Sequence, residues 1–270
     1  MITAVREPAV AGYFYPRSSE ALSREVSTYT AQPGEKISAL ACVVPHAGYM
    51  YSGHVAGAVY GRLQLPRRFV ILCPNHTGFG RPLAVMTEGA WQTPLGLAQI
   101  DHELAAALRV ACPLLEEDDM AHRGEHAIEV QLPFLQSALS DFTFVPIAIG
   151  TAKYEPLQAL GEAMAGVLRD QSDKIMLISS SDMNHYEPDD VTRVKDHKAI
   201  DQILALAPRG LYDVVMQESI SMCGFGPTVA ALTAARLLGA KSAEVVKYAT
   251  SADISGDRSA VVGYAGVVIR

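Results

Sequence analysis

Three segments of this chain put imidazole or carboxylate side chains where a run of apolar residues stops. Pro45-His46 follows the run 37–44, Pro74-Asn75-His76 follows 69–73, and Ser179-Ser180-Ser181-Asp182 with His185 closes the run 174–179. Such runs are short, rich in β-branched residues and without strict alternation, as expected for strands covered on both faces. If they run parallel, their carboxyl ends open onto one rim, where ligands gather in open α/β sheets. The prolines end the strand ladder, while Gly48 and Gly78 allow tight backbone paths behind His46 and His76. An isolated histidine is ordinarily a surface or hydrogen-bonded core residue. Two at equivalent strand ends are instead rigid mounts for neutral imidazole, and with a softer or anionic third donor they suit Fe(II), zinc or copper, leaving open positions for water or substrate.

Cys223 is the candidate third donor. It precedes Gly224-Phe225-Gly226-Pro227, where Pro227 suits the first turn of a helix whose positive end would favour a thiolate. A thiolate is both ligand and nucleophile, so the position supports ligation without separating it from covalent catalysis. Cys42 and Cys73 lie inside apolar runs and read as small buried hydrophobes. Asp182 and His185 fit three roles: metal ligands, an orienting pair, or a general acid/base. Because the centre already has three candidate ligands and needs vacant positions, His185 is read as the acid/base and Asp182 as its neighbour. The helical pattern over 125–139 sets His126 and Glu129 three apart on one face. Glu125 and His126 are read as supporting the centre from outside rather than binding metal directly. His54, His102, His122 and His197 are read as structural or surface residues. Tyr13, Tyr15, Tyr49, Tyr51 and Trp91 could line an aromatic-binding pocket, although packing is the commoner role for aromatics near glycine turns.

These residues need a scaffold, and the patterning supplies one. Helical spacing covers 18–30, ending at a Pro33-Gly34 turn signal, then 52–63, 102–110, 125–139, 156–169, 189–207, 211–217 and 227–238. Strand-like runs cover 37–44, 69–73, 142–149, 174–179, 243–250 and 260–269, with an excursion over 83–96 expected beside the main sheet. The alternation predicts a three-layer α/β/α sandwich around a mixed, largely parallel sheet, in which the last two strands are antiparallel neighbours. With 270 residues, 49% hydrophobic and 19% charged, one domain spanning 1–270 can bury its own core. A net charge of -7 argues against nucleic acid and anionic membranes as partners. No apolar run approaches the roughly 20 residues of a membrane span, and residues 1–16 lack the pattern of a secretory leader. Four dispersed cysteines without a CxxC pair read as reduced thiols, so a cytoplasmic protein is expected.

Taken together, Ala11-Gly12-Tyr13-Phe14-Tyr15-Pro16, Pro45-His46-Ala47-Gly48-Tyr49, Pro74-Asn75-His76, Glu125-His126, Ser180-Ser181-Asp182 with His185, and Cys223-Gly224 resemble the Memo family, known in prokaryotes as AmmeMemoRadiSam system protein B. The late Val262-Gly263-Tyr264-Ala265 is also similar, so the resemblance spans nearly the whole chain. It implies a fold related to the class III extradiol ring-cleaving dioxygenases, in which two histidines and a glutamate hold non-haem Fe(II) and another histidine is the acid/base. By that resemblance His46 and His76 are the first two ligands, Cys223 stands where the dioxygenases have glutamate, and His185 with Asp182 serves the pocket. A thiolate donates more electron density than a carboxylate and is itself oxidisable, so ring cleavage does not transfer with the fold. The resemblance further implies iron or copper binding and copper-dependent redox activity, receptor phosphopeptide binding for the eukaryotic member, and pathway partners of the Amme type and the radical S-adenosylmethionine type. The resulting expectation is an oxidoreductase-like protein carrying Fe(II), with copper or zinc as alternatives, acting on a small or aromatic substrate with O2. Two other readings are a non-catalytic phosphopeptide- or protein-binding module and a zinc metallohydrolase.

Overall fold

The computed structural model describes residues 4–31 and 34–270; Pro33 of the Pro33-Gly34 turn signal lies outside them. In chain order the strands are β1 (Val5–Arg6), β2 (Ala41–Val44), β3 (Arg68–Pro74), β4 (Leu83–Val85), β5 (Ala90–Thr93) and β6 (Gly96–Ile100), followed by β7 (Glu116–Glu117), β8 (Thr143–Ile149), β9 (Ile175–Ser180), β10 (His185–Glu187), β11 (Ala243–Thr250) and β12 (Val261–Ile269). The helices are α1 (Ser19–Thr30), α2 (Tyr49–Arg62), α3 (His102–Ala111), α4 (Met120–Arg123) and α5 (Leu132–Ala138), then α6 (Tyr154–Arg169), α7 (Asp189–Leu204), α8 (Pro208–Gln217), α9 (Phe225–Leu237) and α10 (Ala252–Ser255).

The strands form one sheet in the order β1-β5-β6-β8-β3-β9-β2-β12-β10, with β11 on β12 and β4 on β8. Its centre, β8-β3-β9-β2, is wholly parallel, while β12 runs antiparallel to both β2 and β11. Residue alternation divides the interior. Val70 and Leu72 of β3 join a core with α3, α6, α7, α8 and α9, whereas Phe69, Ile71 and Cys73 join a second core with α1, α2 and α5. Both faces of the central strands are covered, which is why their sequences are continuously apolar. The three-layer α/β sandwich and the antiparallel late pair are as the sequence predicts.

Three local expectations change. The 83–96 excursion is part of the main sheet, since β4 pairs antiparallel with β8 and β6 pairs with β8 in parallel. An edge left bare on so apolar a strand as β8 would be a template for aggregation. Of the run 37–44 only Ala41–Val44 joins the sheet, and Ile37 makes an isolated bridge to Leu63. The helical pattern over 125–139 begins instead with an irregular stretch and a 3-10 turn, Glu129–Gln131, before α5 starts with Pro133 in its first turn. Proline is tolerated at a helix start and breaks an interior. His126 and Glu129 therefore do not share a helix face.

A buried ion pair explains where Glu129 goes. Its carboxylate, fully buried, accepts from Arg6 Nη1 at 2.6 Å, from Ala9 N and Val10 N, and from Tyr15 Oη at 2.6 Å. Arg6 also donates to the carbonyls of His122 and Glu125, and its guanidinium lies 4.1 Å from the centre of the Trp91 ring. The N-terminal segment is thereby fastened to the stretch that carries Glu125 and His126. The same packing decides the aromatic residues: Tyr15, Tyr49 and Trp91 are core side chains and Tyr13 points to solvent, 85% exposed. Tyr51 is half-buried and packs with Val55 and Tyr264. Among the described residues, no helix is long and apolar enough to cross a membrane. Glu129→Ala leaves the Arg6 charge buried and unpaired, and we expect it to lower unfolding free energy by about 3–5 kcal/mol, measured by urea denaturation.

Candidate metal centre

The parallel register brings the three strand ends together. β9 lies between β2 and β3, with Val44 opposite Ser180 and Leu72 opposite Ser179. His46, His76 and Asp182 each stand two residues beyond the end of their strand, so they emerge at one rim, His46 level with Asp182 and His76 about one residue further along. Cys223 comes from further along the chain, immediately before α9, and its loop presses onto the end of β9. Gly224 N donates to Ser181 Oγ at 3.0 Å. A Cβ on Gly224 would lie 2.4 Å from Ser181 Cβ and 2.5 Å from the Ser180 carbonyl, so only glycine lets the cysteine come this close. Cys223 Sγ ends 3.2 Å from His46 Nε2. The candidate ligand atoms of His46, His76 and Cys223 all lie within 4.8 Å of one another.

Hydrogen bonds behind the imidazoles fix which nitrogen faces the centre. Ser180 Oγ donates its proton to the Ala127 carbonyl at 2.6 Å and accepts from Gln131 Nε2. With its proton committed, it must accept from His46 Nδ1, 2.9 Å away. His46 thus carries its proton on Nδ1 and turns the Nε2 lone pair toward Cys223. At His76 the partner is the buried Glu125 carboxylate, which sits 2.9 Å from Nδ1 and also accepts from the His76 and Ala127 amides. Nε2 is again left as the free donor atom. This is the orienting layer that metal-binding histidines ordinarily have.

Electrostatics grade the cluster. Burial, reinforced by the neighbouring His126 and His76, pushes His46 well below the ordinary imidazole value, which keeps it neutral. Burial also works against a charged Glu125, but its hydrogen bond to His76 and the nearby imidazoles hold it down to about 2. Burial opposes charge on His76 as well, and Glu125 outweighs it, so His76 is raised. Burial lowers His126, with Glu125 partly offsetting. Asp182 is raised by burial against the pull of two backbone donors, since its Oδ1 accepts from the amides of His46 and Ala47. The helix-end argument for a thiolate is reversed. Burial, with the Asp182 charge beside it, raises Cys223 well above the usual thiol value, and Sγ lies 3.6 Å from the Asp182 carbonyl as a donor.

His126 stacks on His76 with ring centroids 4.8 Å apart and lies edge-on to His46 at 5.4 Å. It belongs with His76 and Glu125 in a second group of closely spaced donors. His185, half-buried on β10, stands outside both groups. Its amide donates to Ser221 Oγ and its Nδ1 to the Ser221 carbonyl at 2.9 Å, leaving Nε2 free. Ser221 is held in turn by Asn184 Oδ1. Ser180, Gln131, Asn184 and Ser221 were invisible as supporting residues in the sequence, because their roles depend on neighbours 36 to 134 positions away. Of the histidines read as structural, His122 is fully buried edge-on to Trp91, and burial with the Arg6 charge lowers it to about 4.

The fold and rim define a class, an open α/β sandwich with a histidine and cysteine cluster at the carboxyl ends of its parallel strands. A crystal structure of an uncharacterized protein from Escherichia coli K12 has the same fold, with a TM-score of 0.60 and 16% identity over 84% of this chain and 98% of that one. The family model described as Memo-like protein matches residues 6–268. MEMO1 family proteins of Methanopyrus kandleri and Archaeoglobus fulgidus are each 43% identical, covering 98% of this chain and 99% and 100% of their own. One from Aquifex aeolicus is 42% identical over 98% of both. The chain belongs to the Memo family.

Ser180→Ala removes the acceptor that sets the His46 tautomer, and we expect roughly 10–100-fold weaker binding of Co(II) or Zn(II), read by competitive chelator titration. Glu125 is depressed from 4.5 to about 2 in the folded chain, so its stabilisation is present above its unfolded value and is lost as pH falls through this window. The stability gap between wild type and Glu125→Gln, measured by urea denaturation, should shrink as pH drops from about 4.5 toward about 2.

Proposed function

We propose that this chain is a mononuclear metal protein of the redox type, in which His46, His76 and Cys223 hold Fe(II) or copper and the rim receives a small oxygen-bearing substrate together with O2. The observation that carries this reading is the convergence of three donor atoms within 4.8 Å, two of them imidazole nitrogens whose lone pairs are fixed by hydrogen bonds from behind. Two imidazoles and one sulfur fit iron, copper and zinc by donor type. Bound iron or copper supplies one-electron chemistry and a Lewis-acid position.

The chain's own residues supply the rest. Glu125 and Ser180 hold the two imidazoles in orientation, and Gly224 lets Cys223 reach them. Asp182 fixes the backbone of His46 and Ala47, adding negative charge beside the centre. His185 is the proton carrier: Ser221 occupies its Nδ1, so Nε2 is the atom that takes a proton from a substrate hydroxyl and returns it.

The test is anaerobic purification and Fe(II) reconstitution of wild type, His46→Ala and Cys223→Ser, with elemental analysis and then oxygen uptake on catechol-type substrates. Near-stoichiometric iron in wild type should be lost in both variants. His185→Ala should retain the metal and turn over roughly 10²–10⁴-fold more slowly. Equal metal in wild type and variants would remove the centre and leave the peptide-binding reading ahead. Oxygen-independent activity with zinc would make the protein a hydrolase instead.

A further inference from the structure

A cleft of about 360 Å³ is lined by Thr77, Phe79, Met120, Arg123 and Gly124, two of which are chain neighbours of residues of the candidate centre. Thr77 follows His76 in the chain and Gly124 precedes Glu125, so the cleft floor and the centre share backbone. A Cβ on Gly124 would touch the Thr77 methyl at 3.7 Å, which closes the floor with an apolar group. The walls are Phe79 and Met120, 64% and 53% exposed.

Exposed apolar side chains on a slack loop would need no explanation, but the backbone that carries these is held. Asn75 Oδ1 accepts from Thr77 N, Thr77 Oγ1 and Gly78 N, Asn75 Nδ2 donates to the Phe79 carbonyl, and Phe79 N donates to Thr77 Oγ1. Gly80 has a positive φ of 82°, and a Cβ there would meet Asp118 Oδ2 at 2.6 Å. That same carboxylate ties the two walls together from behind, accepting from Arg81 N at 2.6 Å and from Met120 N at 2.8 Å. The backbone that carries both walls is preformed, and preorganisation is what lowers the cost of ligand binding.

We propose that this cleft is the apolar subsite of the substrate: it takes the uncharged, ring-sized or alkyl portion of the small molecule whose oxygen end reaches the metal centre, with Phe79 and Met120 setting specificity. The proposal rests on the redox-metal reading above. The guanidinium of Arg123 is paired with Asp119 at 3.0 Å, so the walls that distinguish this cleft are apolar and suit an uncharged end of the molecule. The volume lies near the lower end of the roughly 300–1,000 Å³ of small-molecule sites. A stable protein partner would need a contact surface of about 1,200–2,000 Å², far beyond five residues.

The experiment compares catechol with 4-propylcatechol binding to anaerobic Fe(II)-loaded protein by isothermal titration calorimetry, in wild type and in Phe79→Ser/Met120→Ser, with iron content measured on each sample. Both side chains are surface-exposed, so the double variant should fold and retain iron. In wild type the propyl compound should bind about tenfold more tightly, as expected for partial burial of its methylenes, and in the variant the two affinities should converge. A propyl preference that survives in the variant, or no preference in iron-loaded wild type, overturns the subsite and leaves the metal reading intact. Failure of wild type to take up iron overturns both.

Discussion

The parallel pairing of β9 with β2 on one side and β3 on the other is the constraint on which the site depends. Because the side-chain period of a strand is two, a slip of one residue in either pairing would turn every core side chain to the wrong face. The two cores hold that register: alternate residues of β3 enter opposite layers, each filled by helices. Once the register is held, His46, His76 and Asp182 leave the sheet at one rim. Their convergence follows from the hydrophobic pattern, and the hydrogen bond from the His46 amide to Asp182 then fastens two of them together.

Bringing so many polar groups to a buried rim has a cost, and the structure meets it with partners. Buried carboxylates and imidazoles without hydrogen bonds would be destabilising by several kcal/mol each. Glu125 answers His76 and two amides, Asp182 answers two amides, and Ser180 links His46, Gln131 and Ala127. The stretch that supplies Glu125 and His126 has no regular structure to stiffen it. Arg6 and Glu129 do this work from outside, clasping the N-terminal segment over it and using the Trp91 ring as a platform. A segment 119 residues away in sequence thus holds the backbone of Glu125 in place.

The arrangement also grades the surroundings of the centre from buried and polar to exposed and apolar. His46 sits deepest, His76 is reachable, and the Phe79 and Met120 walls stand at the surface. His185 and its Ser221 brace approach from β10, which among the described residues is joined to the sheet only through β12.

Much of this was legible in the sequence. The apolar runs, each stopped by a proline or a polar turn, located β2, β3, β8 and β9 and therefore the rim, because a strand covered on both faces has no choice but to be continuously apolar. His46, His76 and Cys223 were readable as a set through strand-end position and the motif resemblance. The sequence could not reveal that burial and Asp182 raise the Cys223 thiol, since that shift depends on what lies against the sulfur. Nor could it reveal that Glu125 precedes a helix rather than starting one, whereas the packing role read as commoner for the aromatics holds for Trp91, Tyr15 and Tyr49. Local pattern determines which segments become strands and where they stop. Only the tertiary structure decides which hydroxyl faces which imidazole, because a hydrogen bond depends on distance and direction between groups that the chain itself keeps far apart.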